Sequence, residues 1–274
     1  MKKFLLACLI VVLFVAGAFA AEKKIGQLSR LNVTAEEFLE QTLKDVSSKK
    51  LRVFFSGEPF EPKPVFYDSL ISLQLALNAG EVDFIMLPEA VGEYVLNVSN
   101  KYEISSIVRT PPASLSFGFN KSDDPTMRNR FNEALLSMKA DGTLSILIDK
   151  YIAEPGTDDP EPVKFGQYDN IETKIKVAVT GDLPPIDFIA PNGTPAGFNT
   201  AVLAEIGKRL KINIELVNID SNARAAALAA KRVDVVFWFS HYKDLEKQFD
   251  VPDNVALSES YYSWNEDLLI QLAK

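Results

Sequence analysis

The stretch Ile175-Lys176-Val177-Ala178-Val179-Thr180-Gly181-Asp182-Leu183-Pro184-Pro185-Ile186-Asp187-Phe188 decides the fold. Its first five residues are mostly apolar and run into Gly-Asp and a proline pair, so they read as a strand that stops at a tight turn. Working outwards, Asn199 to Leu210 carries an apolar stripe at helical spacing. Ile212 to Val217 reads as a strand, Asn222 to Ala230 as a helix and Val233 to Phe239 as a strand. Strands and helices alternate, which is the pattern of parallel sheet covered by helices on both faces.

The same rhythm runs upstream. At Asn32-Val33-Thr34-Ala35-Glu36-Glu37, Thr34 caps a helix and Glu37 closes a capping box. Leu51 to Phe55 reads as a buried strand ending in Ser56-Gly57, followed by a loop containing Pro59, Pro62 and Pro64. A helix is expected from about Asp68 to Asn78, a strand from Val82 to Leu87, and another at Leu115 to Phe119. Asp124-Pro125 opens a long helix ending near Lys139, and a short one follows from Thr143 to Ile152. Residues 154–172 hold Pro155, Gly156, Asp158, Asp159, Pro160 and Pro162 with little apolar periodicity, and read as a linker. There is also an internal echo. Lys50 to Gly57 resembles Lys174 to Gly181, and Ala76 to Asp83 resembles Ala227 to Asp234, which implies two lobes of similar construction.

Composition removes several function classes. The 274 residues include 29 Lys+Arg against 37 Asp+Glu, a net charge of −8, and no basic run, so a phosphate backbone is repelled and nucleic acid is not an expected partner. Lys2 and Lys3 precede the apolar run Phe4 to Val15 and the small residues Ala18 and Ala20, the layout of a cleaved secretory signal and hence of a periplasmic protein. The alternative is an uncleaved anchor, since Phe4 to Ala21 just reaches spanning length. Lys2 and Lys3 are the signal's only charges, so its loss takes the chain from −8 to −10. It also takes the only cysteine, Cys8, leaving no thiol nucleophile or thiolate ligand. His241, the sole histidine, cannot build a zinc site alone. No metal and no other cofactor is expected.

Together with Asn192 to Asn199 and Arg232-Val233-Asp234-Val235-Val236, the opening stretch resembles the first lobe of a type 2 periplasmic solute-binding protein, of the amino-acid-binding family 3 of ABC transporters. Ser258-Glu259-Ser260-Tyr261-Tyr262 is similar to that family's F-S-x-P-Y-Y element. Phe117 to Lys121, Ala140-Asp141-Gly142-Thr143 and Lys150-Tyr151 resemble the family's C-terminal end. The order is reversed relative to the usual member, which implies a circular permutation; the rival is a tandem of two truncated copies. The fold implied is α/β, two-lobed and type 2, with permuted lobe order. It divides into a signal at 1–21, a second-lobe-like segment plus helices returning to the first lobe at 22–153, the linker at 154–172, and a first-lobe-like segment at 173–274. The second-lobe core is expected near 45–118. The resemblance further implies a monomer that captures a small polar solute, an amino acid or relative, between its lobes and hands it to an ABC permease in the membrane. The alternatives are an enzyme on the same scaffold, similar to cyclohexadienyl dehydratase and using Glu89 or Glu246 as acid, and a ligand-sensing module.

In that family the ligand's carboxylate meets an arginine and helix-start amides, and its ammonium meets carboxylates and hydroxyls. This chain departs from the pattern. The arginine position falls on Glu246 or its neighbours Leu245 and Lys247, and the hydroxyl residues after the strand are matched by Trp238, Phe239 and Ser240. The aromatic before the proline pair is Leu183, the acid after Gly-Phe is Asn199, and the second lobe's Gly-Thr helix start is replaced by Ser56-Gly57-Glu58-Pro59. The candidate ligand-binding residues are therefore Ser56, Glu89, Asp182, Leu183, Phe188, Ser221, Arg224, Trp238, Phe239 and Ser240. Arg224 either supplies the missing cation or is a solvated helix arginine. Trp238 and Phe239 form an aromatic wall or belong to the core. Asp182 reaches an ammonium or caps its turn, and Asp83 and Asp234 are expected to hold neighbouring backbone amides.

Overall fold

The computed structural model describes residues 21–38, 40–41, 52–55, 60–153, 162–169, 174–242 and 248–274. The expected signal through residue 20, Ser56 and Glu246 lie outside them. In chain order the strands and helices are β1 (Ala21–Leu28), β2 (Arg52–Phe55), β3 (Phe60–Tyr67), α1 (Leu70–Asn78), β4 (Phe84–Pro88), α2 (Glu89–Val98) and β5 (Tyr102–Asn120). Then come α3 (Thr126–Ala140), α4 (Thr143–Ile148), a π turn (Asp149–Ala153), β6 (Lys174–Val179), β7 (Phe188–Ile189), β8 (Pro195–Ala196) and α5 (Gly197–Leu210). The last are β9 (Asn213–Asn218), a 3-10 turn (Ser221–Ala223), α6 (Arg224–Ala229), β10 (Val235–Tyr242), β11 (Val255–Leu257) and β12 (Tyr262–Leu272).

One sheet runs β3-β1-β4-β12-β5-β10-β6-β9, with β2 and β11 also on β5. Its flanks, β3-β1-β4 and β10-β6-β9, are parallel, as the alternation of strands and helices predicts. Its centre is not. β5 and β12 pair antiparallel from Tyr102↔Leu272 to Tyr262↔Leu115, and each runs from one flank into the other: β12 reaches β4 at one end, and β5 reaches β10 and β11 at the other. Two lobes are thus joined through two long strands. The expected strand at Leu115 to Phe119 is only the last part of β5. The proline loop after Pro59 is also a strand, β3, whose Pro62 and Pro64 sit on the sheet's edge, where a missing N–H breaks no interior ladder.

The flanks are built alike. Lys176 N donates to Asp234 Oδ2 at 2.8 Å while Asp234 N donates to Lys176 O at 2.8 Å. Lys24 N and Asp83 repeat this at 2.8 and 2.9 Å. Both aspartates therefore hold neighbouring amides, as the sequence suggests. The partners correct the internal echo: the counterpart of β6 is β1, not Leu51 to Phe55, and that flank opens at Ala21 rather than near residue 45. Lys23-Lys24-Ile25 and Lys50-Leu51-Arg52-Val53 are similar basic-apolar runs, and the bond to Asp83 and the parallel pairing with β3 and β4 mark the first as the counterpart. β2 is an antiparallel neighbour of β5.

The core lies on the sheet faces. Phe117, Phe131, Leu135, Val177, Phe198, Val202, Ile206 and Phe237 are fully buried, with Phe117 edge-on to Phe131 at 5.4 Å. α3 and α4 return to α5 through Arg209, which donates to Asp141 at 2.8 Å and Glu205 at 3.1 Å. Part of the expected linker packs down as well, through the reciprocal Tyr168 and Asn213 bonds of 2.8 and 2.6 Å. Among the described residues no helix is long and apolar enough to cross a membrane.

Candidate functional site

β6 delivers its chain to a turn closed by Leu183 N to Asp187 O at 3.1 Å and Asp187 N to Leu183 O at 2.8 Å. Leu183 is buried in that turn and belongs to the core. Asp187 is 0 % exposed. Its Oδ2 accepts from Thr180 N at 3.1 Å, Thr180 Oγ1 at 2.9 Å and Trp238 Nε1 at 3.1 Å, and the Gly181 backbone amide acts on the same carboxylate. Burial lifts its pKa above the ordinary carboxylate value despite these donors. Asp182, half-buried on the same turn, is pushed up to about 6, by burial first and then by the charge of Asp187, against the opposing pull of Ser221 and Arg224.

Arg224 begins α6 and is 1 % exposed. Its Nη2 donates to Asp250 Oδ1, and its Nη1 donates to Ser221 O at 2.7 Å and Ser221 Oγ at 3.1 Å. The guanidinium lies 4.2 Å from the Trp238 ring centroid and 5.3 Å from that of Phe239. Asp250 also accepts from Ser240 N and Oγ, both at 3.2 Å. Arg224 is thus not solvated: its charge is paired with Asp250 inside the protein, while its Nε is shut off from solvent without a hydrogen-bond partner. Phe239 is equally interior. It packs so tightly on Gly118 that a Cβ there would lie 2.1 Å from its ring, so it is core and no wall of a cleft. Trp238 is buried with its N–H committed to Asp187 and its face to Arg224.

The other flank reaches across. In the loop after β1, Arg30 Nη1 donates to Ser240 Oγ at 3.1 Å, while Arg30 Nε is shut off from solvent without a partner. Burial pulls the Arg30 pKa down, but Tyr242, Asp250 and Asp267 together outweigh it, so the guanidinium stays charged. Asn32 N donates to Phe249 O at 2.9 Å, and its Nδ2 donates to Gln248 O at 3.3 Å and to Val251 O. Asn222 Nδ2 donates to Asp68 Oδ1 at 2.6 Å, and Tyr94 on α2 meets Phe188 edge-on at 6.3 Å. Glu89 opens α2, with its pKa raised by burial, Glu93 and Glu266. Burial, Glu89 and Glu93 push Tyr262 to about 12. The structure therefore brings Asp182, Ser221, Arg224, Trp238 and Ser240 together, sets Phe188 at the seam with α2, and puts Leu183 and Phe239 in the core.

Sequence reasoning missed Arg30, Asn32, Asp187, Asp250 and Asp267. A signal for the first two was present: Ser29-Arg30-Leu31-Asn32 runs straight into the capping box, where Thr34 N donates to Glu37 Oε2 at 2.9 Å and Glu37 N to Thr34 Oγ1 at 3.2 Å. This is the strand-to-helix loop of the β1 flank, the place assigned to Ser56 to Pro59 in the sequence. Among the described residues no three His, Cys, Asp or Glu side chains are arranged to hold a metal ion.

No curated protein matches the chain in sequence. Among solved structures, the ligand binding component of an ABC-type import system from Staphylococcus aureus, with zinc bound, is 12% identical with a TM-score of 0.44, over 92% of this chain and 66% of that one. The periplasmic aliphatic sulphonate binding protein SsuA from Escherichia coli is 9% identical with a TM-score of 0.42, over 92% and 65%. The BvgS VFT2 domain from Bordetella pertussis is 10% identical with a TM-score of 0.41, over 92% and 80%. The chain thus spans just under two thirds of the length of the first two. A family match covers residues 175–271, from β6 to β12. Those residues carry the pattern of bacterial extracellular solute-binding proteins, family 3.

Proposed function

We propose that the chain is an extracytoplasmic solute-binding protein that closes its two lobes on a small polar solute, an amino acid or relative, and presents it to an ABC permease. One observation carries this reading. The loop after β1 crosses to the other flank, Arg30 to Ser240 and Asn32 to the 248–251 backbone, and the two guanidiniums joined there through Ser240 and Asp250 each keep a solvent-excluded nitrogen without a hydrogen-bond partner, Arg30 Nε and Arg224 Nε. Buried polar atoms are almost always paired, so orphans at an interlobe seam mark where a solute's own polar groups belong. Binding and release suffice for this role, and Glu89 is then a lining residue rather than an acid catalyst.

We also read the chain as a circular permutation with a secretory signal at its start. In support, Ala273 N donates to Lys101 O at 2.8 Å, so the residues after β12 lie in the β1 flank, and β12 and β1 both pair with β4. Joining the end of β12 to the start of β1 gives each lobe its strands in the usual order.

The test is a thermal-shift screen of the purified protein against amino acids, amines, short peptides and aromatic acids, with product analysis of each mixture. A ligand bound only by the folded state at a hundred times its Kd adds about 2.7 kcal/mol and must raise the Tm. A shift by one chemical class with the compound recovered unchanged supports the reading. Conversion of a compound, blocked by Glu89→Gln, would replace it with the enzyme alternative.

A further inference from the structure

Resting on the solute-binding reading, we propose that the solute is an organic acid whose carboxylate is held by Arg30 and Arg224 from opposite lobes, and that the site requires no ammonium on it. Both guanidiniums keep an unspent donor. Arg224 is 1 % exposed, and its Nε has no hydrogen-bond partner although Nη1 donates to Ser221 and Nη2 to Asp250. Arg30 arrives from the other lobe. Its Nη1 donates to Ser240 Oγ, and its Nε is likewise shut from solvent and unpaired. The two side chains belong to one network, since Ser240 Oγ donates to Asp250 Oδ2 at 3.2 Å and Asp250 Oδ1 accepts from Arg224. An N–H on a cation, buried without an acceptor, is costlier than a neutral orphan. A carboxylate is what answers two of them: it is negative, it has two oxygens that accept, and it brings no donor.

The charges around the network agree. Asp250 is the acid that the two guanidiniums share, directly for Arg224 and through Ser240 for Arg30. Asp267 also acts on Arg30, but burial raises its pKa against the pull of Arg30 and Trp264, which moves it toward the neutral form. Two cations thus share one acid within their hydrogen bonds. The carboxylates of the turn after β6 are already supplied. Asp187 takes Thr180 N, Thr180 Oγ1, the Gly181 amide and Trp238 Nε1, and Asp182 is served by Ser221 and Arg224. Trp238 keeps the two sides apart, with Arg224 4.2 Å from its ring centroid and Asp187 on its N–H. An ammonium at that turn would compete with donors already in place, so an amino group adds nothing that the seam lacks.

The experiment titrates the protein with butyrate and phenylacetate, with their amides butyramide and phenylacetamide, and with 2-aminobutyrate and phenylglycine, which add an ammonium. Heat of binding and tryptophan emission are followed, Trp238 reporting because Arg224 lies against its ring. At least one acid should bind, its amide roughly tenfold more weakly or worse, and its amino derivative no tighter than the acid itself. Arg30→Gln, at a half-buried position, should weaken the acid by roughly tenfold or more and shrink its preference over the amide, with unchanged far-UV circular dichroism. Arg30→Lys, which keeps the charge, should restore part of that preference. An amide as tight as its acid, an amino derivative that binds clearly tighter, or an Arg30→Gln loss equal for acid and amide would overturn the organic-acid class and leave solute binding standing. Binding of some other solute class in the wider screen, with neither acid bound, would do the same. Failure of every compound, here and in the wider screen, would overturn both.

Discussion

At the scale of single residues, the chemistry of this protein rests on which charges are answered. Asp250 answers Arg224 where both are 1 % exposed. Removing one partner of such a pair strands the other, which typically costs about 3–5 kcal/mol, whereas replacing both with apolar groups of similar size is often neutral. Asp250→Ala should therefore lower unfolding free energy in urea by about that amount, and Asp250→Leu combined with Arg224→Met should recover most of it. Asp182 is the opposite case. Burial and Asp187 hold its folded pKa near 6, above the ordinary 3.8, with Asp220 adding to the rise and Ser221 and Arg224 opposing it. The folded state thus keeps its proton longer than the unfolded chain. Its contribution to stability is greatest below pH 4 and is lost as pH rises through about 6. In Tm measured from pH 4 to pH 7, Asp182→Asn should remove part of that decline.

At the scale of elements, two glycines show how little room the site has. Gly118 lies where β5 passes under Phe239, and Gly197 opens α5 at φ 80°, where a Cβ would come 2.5 Å from Pro185 O. The first lets the Phe239 ring lie over the neighbouring strand β5, and the second lets α5 start directly on the turn that carries Asp187. Phe239 is fully buried and cannot swing away, so Gly118→Ala should cost about 1–3 kcal/mol by chemical denaturation. The same elements show what was legible locally. The strand, turn and helix of 175–210 fall nearly where their apolar spacing puts them, and so does the capping box at Thr34 and Glu37. β3 and the full length of β5 were hidden, because Pro62 and Pro64 read as loop until the sheet supplies an edge to hold them, and the residues before Leu115 become strand only where β12 pairs with them.

At the scale of the whole molecule, the lobes are held together by the protein's own side chains: Arg30 on Ser240, Asn32 on the 248–251 backbone, Asn222 on Asp68. A ligand closes such a protein only by its differential affinity for the closed state, and here internal bonds already favour closure. Arg30→Ala with Asn32→Ala should open the seam without ligand, raising acrylamide quenching of Trp238 and Trp264 and enlarging the radius of gyration in solution scattering. Unchanged values would mean that the strands β5 and β12 alone fix the lobes. The permutation is testable at this scale too. A chain reordered as residues 174–274 followed by 21–153 should fold with the same circular dichroism and respond to the same solutes, whereas two truncated copies predict that it does not.

The sequence by itself determined what depends on neighbours a few residues apart: the alternation of strands and helices, the caps, and the amide-holding Asp83 and Asp234. It also placed Asp182, Ser221 and Arg224 near one another, since the turn after β6 and the start of α6 lie at the same end of adjacent strands. Only the tertiary structure decided what those groups do. Arg224 meets Asp250 26 positions away, and Arg30 meets Ser240 across 210. No periodicity records such pairs, because they are set by which strands share the sheet and which charges are shut from water when it closes. Local hydrogen bonding is written in spacing. The balance of buried charge exists only once the two lobes are in contact.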